Sequence, residues 1–159
     1  MRDSMRRFVV VSWTIAAVAC GTSPTSPSYS GPLTFTDVAN FDANINVMTT
    51  QSFIAIRDQA TWQATWTSLG KAAALPSVDF TKNMVIVAAY GVQPTLGYSI
   101  VVQAVSVAQG VITVSVLETK PGSNCVTGQA VINPVDIVQV PATSGTVVGQ
   151  VTIQVFPCG

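Results

Sequence analysis

The fold turns on one stretch, Met84-Val-Ile-Val-Ala-Ala-Tyr-Gly-Val-Gln-Pro-Thr-Leu-Gly-Tyr-Ser-Ile-Val-Val-Gln-Ala-Val-Ser-Val107. Two β-prone runs, Met84–Tyr90 and Tyr98–Val107, flank a connection, Gly91–Gly97, that contains Pro94 and closes on Gly97. Proline removes a ladder donor and fixes φ, whereas glycine tolerates positive φ. The pattern therefore predicts a sharp turn between antiparallel strands. The expectation is a central hairpin that serves as scaffold, with its tip as the working surface.

Downstream, Val111–Thr119 sets Ile112, Val114 and Val116 on one side and Thr113 and Ser115 on the other, joined to Tyr98–Val107 by a short Ala108-Gln109-Gly110 turn. Lys120–Gln129, with Pro121, Gly122, Cys125 and Gly128, reads as a loop, and Val135–Val140 as a strand closed by Pro141. Thr146–Phe156 alternates Val147, Val151, Ile153 and Val155 with Thr146, Gln150, Thr152 and Gln154, which predicts a half-buried strand with a polar outer face.

Upstream, Leu33–Asp42 and Ile45–Met48 predict one or two edge strands and Gln51–Arg57 another. The period then changes. Trp62, Trp66 and Leu69 fall at i, i+4 and i+7, on one face of a helix that Asp58 caps and Gly70 stops. Such a stripe is the buried face of a helix rather than an aromatic ligand platform. Pro76–Asn83 is a turn-rich lead into Met84, with Asp79 capping the turn. The fold class is mainly β: an antiparallel sandwich or partly open barrel of six to eight strands, with one packed α-helix at about residues 58–69. The pairing order of the strands stays open.

Composition excludes much chemistry. The chain has 159 residues, 48% of them hydrophobic and 9% charged, and no histidine. There is thus no Ser-His-Asp or Cys-His arrangement and no His-based zinc site. Glu118 is the sole glutamate, so paired carboxylates have few candidates. No phosphate-cradling glycine loop, metal-ligand cluster or nucleophile motif is present in the sequence. No catalytic residue, cofactor or metal is assigned. Beyond residue 19, four basic residues face six acidic ones, which leaves no basic stripe for nucleic acid.

At the N-terminus, Arg2, Arg6 and Arg7 precede an apolar run, Phe8–Ala19, too short to span a membrane and suited to a secretory signal. Ala17-Val18-Ala19-Cys20-Gly21 resembles the end of a bacterial lipoprotein signal, in which the cysteine is diacylated and becomes the new N-terminus; it also reads as an ordinary A-x-A cleavage site. The expected organisation is a signal peptide at 1–19, a lipidated Cys20 with a Ser/Thr/Pro tether at 20–32, and one β-rich domain at 33–159. The expected location is the bacterial cell envelope, the outer membrane if the cell has one. With Cys20 lipidated, Cys125 and Cys158 remain to pair in an oxidising compartment, the alternative being two unpaired, buried thiols.

Val78-Asp79-Phe80-Thr81-Lys82-Asn83-Met84-Val85-Ile86-Val87, then Gly91, Pro94-Thr95 and Gly97-Tyr98-Ser99-Ile100, resembles the core of the PrcB family C-terminal domain. Glu118-Thr-Lys-Pro121-Gly122 and Pro134-Val-Asp-Ile137-Val-Gln-Val-Pro141 are similar to that family's later segments, and the likeness runs over roughly residues 50–156. Leu96 departs from the family's P-T-G-G-Y, where a glycine stands, and a Cβ there restricts positive φ. The resemblance implies a lipid-anchored, non-catalytic accessory subunit of a secreted protease complex. The implied partner-binding loop is Gln93, Pro94, Thr95, Leu96, Gly97 and Tyr98. Gln93–Tyr98 also resembles the N-P-T-T-G-Y loop of chagasin-type protease inhibitors, sharing Pro, Thr, Gly and Tyr, which implies a protease inhibitor as the alternative. A small-ligand or glycan-binding envelope module is a third reading. Against all of them stands a rigid turn with Tyr98 packed on the helix.

Overall fold

The computed structural model describes residues 29–158. The expected signal peptide, Cys20 and the tether up to residue 28 lie outside the described residues. In chain order the elements are β1 (Gly31–Leu33), β2 (Thr36–Asp42), β3 (Ser52–Ile56), α1 (Gln59–Leu69), β4 (Asn83–Ala89), β5 (Ser99–Ala108), β6 (Val111–Pro121), β7 (Pro134–Pro141) and β8 (Thr146–Phe156). The strands form two four-stranded sheets, β1-β5-β6-β8 and β2-β7-β4-β3. They stack as a sandwich, not a barrel. All strand pairs are antiparallel except β6 with β8.

The central hairpin does not form. β4 lies between β7 and β3 in one sheet, and β5 between β1 and β6 in the other, so Tyr90–Tyr98 crosses from sheet to sheet. The reason lies in burial. Met84–Ala89 is apolar at every position and buried at every position, which requires cover on both faces. Met84, Ile86 and Ala88 face the opposite sheet, against Ile100, Val102, Ile112, Val114 and Val116. Val85, Val87 and Ala89 face the other way, into a second core with Trp62, Trp66 and Leu69. The connection also exceeds the roughly two to five residues of a tight hairpin loop and spans a gap of about 10 Å between sheets.

The helix forms as its sequence signals dictate. The Asp58 carboxylate accepts from the Thr61 N–H at 2.8 Å, and Gly70 adopts the left-handed conformation (φ 77°) that ends it. Its tryptophans pack on the β2-β7-β4-β3 sheet, so α1 caps an outer face rather than an opening. Their indole N–H groups reach the carbonyls of Pro76 and Ala73 at 2.9 and 3.0 Å. The β5–β6 hairpin matches expectation, with Gln109 and Gly110 both at positive φ, the geometry of a two-residue turn that suits strand twist. Ile45–Met48, expected as a strand, is a turn instead. The Asn44 side chain accepts from the Asn46 N–H, and the buried Asn133 amide donates to the carbonyls of Asn44 and Val47.

One side of the sandwich is closed by polar side chains. β1 pairs only with Val105–Val107, which leaves the first half of β5 without a strand partner on that edge, its other edge being paired with β6. There the buried Asp136 carboxylate accepts from the Val102 N–H at 2.7 Å, and the Asn40 amide donates to the Ile100 carbonyl at 2.9 Å. Burial pushes the Asp136 carboxyl above its ordinary range, opposed by the Val102 hydrogen bond.

Candidate functional site

The strand registers bring four segments to one pole. Ala89 pairs with Ser52 and Val135, Ser99 with Thr119, and Thr119 with Gln154. The segments 43–51, 90–98, 122–133 and 156–158 therefore converge there. Gly31 pairs with Val107 at the opposite pole, where the chain enters the domain. The eight residue steps from Val107 to Ser99 separate the two poles by about 27 Å.

Gln93–Tyr98 is held from below and from one side. Gln93 and Ile132 exchange two backbone hydrogen bonds at 2.8 and 3.0 Å, and the Leu96 N–H reaches the Gly128 carbonyl at 3.0 Å. Gly91 lies against the Thr50–Gln51 backbone, where a Cβ would come within 2.9 Å, so the crossing starts at a contact only glycine allows. The segment 122–133 is fixed in turn. Cys125 and Cys158 stand at disulfide distance, and the Gly122 N–H reaches the Phe156 carbonyl. The expected partner-binding residues thus sit on a braced surface, not on a free hairpin tip.

Leu96 is unstrained: Gly97 carries the positive φ (100°) and Leu96 does not. Its side chain lies over Gly128, where a Cβ would approach Leu96 Cδ1 to 2.8 Å. Tyr98 does not touch the helix, which covers the other side of the neighbouring sheet. It stands edge-on to Tyr90, ring centroids 5.7 Å apart. Pro94, Leu96 and Gly97 are exposed, and Gln93, Thr95 and Tyr98 half-buried. Leu96 (45% exposed), Val126, Val131 and Phe156 give this pole an apolar surface, and no charged residue occurs between Gly91 and Ile100.

Beneath the tyrosines lies Glu118, which the sequence marked as the sole glutamate and as part of a family segment, with no place in the fold. It is 2% exposed, and its Oε1 accepts from the Gln51 amide at 2.6 Å. It follows Ile112, Val114 and Val116 on the inward face of β6, so strand alternation was the signal that could have found it. Burial raises its carboxyl pKa, with the Gln51 hydrogen bond opposing. Burial likewise raises the Tyr90 hydroxyl, with the charges of Glu118 and Tyr98 adding to the effect. Among the described residues no group of His, Cys, Asp or Glu has the geometry to hold a metal ion.

A pH effect follows with a definite sign. A carboxyl whose folded pKa is raised makes the folded state bind more protons than the unfolded chain, so its contribution falls as pH rises through the folded value. Glu118→Gln retains an acceptor for Gln51 and removes the buried charge. It should raise the melting midpoint at pH 7.5 by about 2–4 °C, and flatten the pH dependence just above the ordinary glutamate range. Melting curves from pH 4 to 8 check this; a lower midpoint at pH 7.5 would contradict it.

Residues 84–141 match the family model described as PrcB C-terminal. The resemblance to that family is thereby shown. The matched residues span β4, the Gln93–Tyr98 crossing, β5, β6, the Cys125 loop and β7, so they take in most of this pole. The PrcB C-terminal match begins at Met84, later than the likeness read from sequence, and leaves out β1–β3, α1, β8 and Cys158. No curated protein and no solved structure matches the chain.

Proposed function

We propose that the chain is a non-catalytic, protein-binding accessory subunit of a protease complex at the bacterial cell envelope. It docks through Gln93–Tyr98 and the adjoining Val126–Val131 segment. The observation that carries this reading is the placement of an uncharged, apolar loop surface on doubly pinned backbone, at the pole opposite the chain's entry into the domain. A rigid loop loses little conformational entropy on binding, and exposed apolar groups on such loops are where recognition concentrates. The PrcB C-terminal match covers this crossing, and the family's association with a protease complex supplies the partner class. Diacylation of Cys20 would tie the domain to the membrane from the far pole and leave the loop surface accessible.

Affinity purification from detergent-solubilised envelope tests the reading, with wild type set against Thr95→Ala/Leu96→Asp. Both side chains reach the surface, so the pair should melt within about 1 kcal/mol of wild type. A buried charge at a hydrophobic contact should reduce recovery of protease-complex proteins at least tenfold. Identical recovery would remove the loop as the docking site.

A further inference from the structure

The two sides of the sandwich are treated differently. On one side, β1 is three residues long and contains Pro32, while β2 carries Asp37 and Asp42 and a register shift between Asp37 and Ala39. Asn40 and Asp136 close the remaining gap. Short strands, proline, charge and irregularity are the devices by which edges avoid pairing. On the other side lie β3 and β8, the terminal strands of their sheets. β8, Thr146-Val-Val-Gly-Gln-Val-Thr-Ile-Gln-Val-Phe156, has no charge, no proline and no register shift against β6 over eleven residues. β3 has no charge either. Ile153 and Val155, expected to be buried by alternation, are 56% and 51% exposed.

We infer that β8 pairs antiparallel with β8 of a second copy of this chain, joining the two β1-β5-β6-β8 sheets into one. The register follows from the strand's length. Pairing all of β8 with itself about a two-fold axis sets the midpoint, Val151, opposite its counterpart. Gly149 then faces Ile153 of the second copy, and Val147 faces Val155. The space beside Gly149 is filled by the Phe53 ring, which a Cβ there would overlap. The exposed Ile153 of each copy is thereby placed next to the half-buried Phe53 of the other, and both cores are extended. On the outer face, Val148 meets Gln154, Gln150 meets Thr152 and Thr146 meets Phe156, so no like charges oppose. The side formed by β8 and β3 measures about 35 Å by 15 Å, or roughly 1,000 Å² buried over both copies, near the lower bound for a specific interface. Phe156 apart, both loop poles stay uncovered, at opposite ends of the dimer.

Analytical ultracentrifugation of the purified full chain, together with oxidative cross-linking, tests this. The chain should sediment as a dimer. Under mild oxidation Val151→Cys should cross-link to itself across the ladder, whereas Val147→Cys, placed about 27 Å from its counterpart, should not. Ile153→Lys, at an exposed position, should weaken the dimer at least tenfold and leave the monomer's melting unchanged. A chain monomeric at about 100 µM would overturn the inference and assign the edge to another partner or to none. A dimer that cross-links at 147 but not at 151 would overturn it equally.

Discussion

Replacing Trp62 by alanine should cost about 3–5 kcal/mol and lower the melting midpoint by more than about 10 °C. Trp62 is fully buried, tilted against Trp66 at 5.2 Å between ring centroids, and its indole N–H donates to the Pro76 carbonyl. Truncation opens a cavity between α1 and the β2-β7-β4-β3 sheet and leaves that carbonyl without its donor. A domain of ordinary stability, about 5–15 kcal/mol, loses a large fraction of its margin. Chemical denaturation measures it. Loss of less than about 1 kcal/mol would mean that the helix is an appendage and not the cover that lets Met84–Ala89 be apolar throughout.

The second large effect joins the fold to the loop surface. Cys125→Ala/Cys158→Ala should destabilise the domain by roughly 3–4 kcal/mol, as expected for releasing a closed loop of this size. The loss should not be uniform. Cys158 follows β8 directly, and Cys125 sits in the segment that holds Leu96 and Gln93. Amide exchange should therefore quicken in 122–133 and 91–98 before it quickens in α1. Two thiols alkylated in the non-reduced wild type, or exchange that rises first in the helix, would contradict the pairing.

The sequence disclosed most of the elements and misplaced their partnership. Trp62, Trp66 and Leu69 announced the helix and its buried face because the 3.6-residue period, cap and stop all agreed. The short Ala108-Gln109-Gly110 turn announced a hairpin, and Gly110 there tolerates the positive φ it adopts. Pro94 and Gly97 resembled a turn of the same kind, yet they lie in a crossing. The sign was the unbroken apolar run Met84–Ala89, which needs cover on both faces, beside the alternation of β5, which needs one. The Gln93–Tyr98 segment was legible as a loop, but its bracing against Ile132 and Gly128 depends on contacts distant in sequence. Glu118 was hidden for a similar reason, since Gln51 and Tyr90 lie beside it from segments distant in sequence.

The central claim is that the loop pole, and not the pole where the chain enters, meets the partner. Photo-crosslinking in intact cells from a reactive residue placed at Leu96 or at Ala142 tests it directly, since both are exposed and stand at opposite poles. Crosslinks to a protease-complex protein from position 96 and none from 142 are the predicted result. The reverse pattern, or equal crosslinking from both positions, would contradict it.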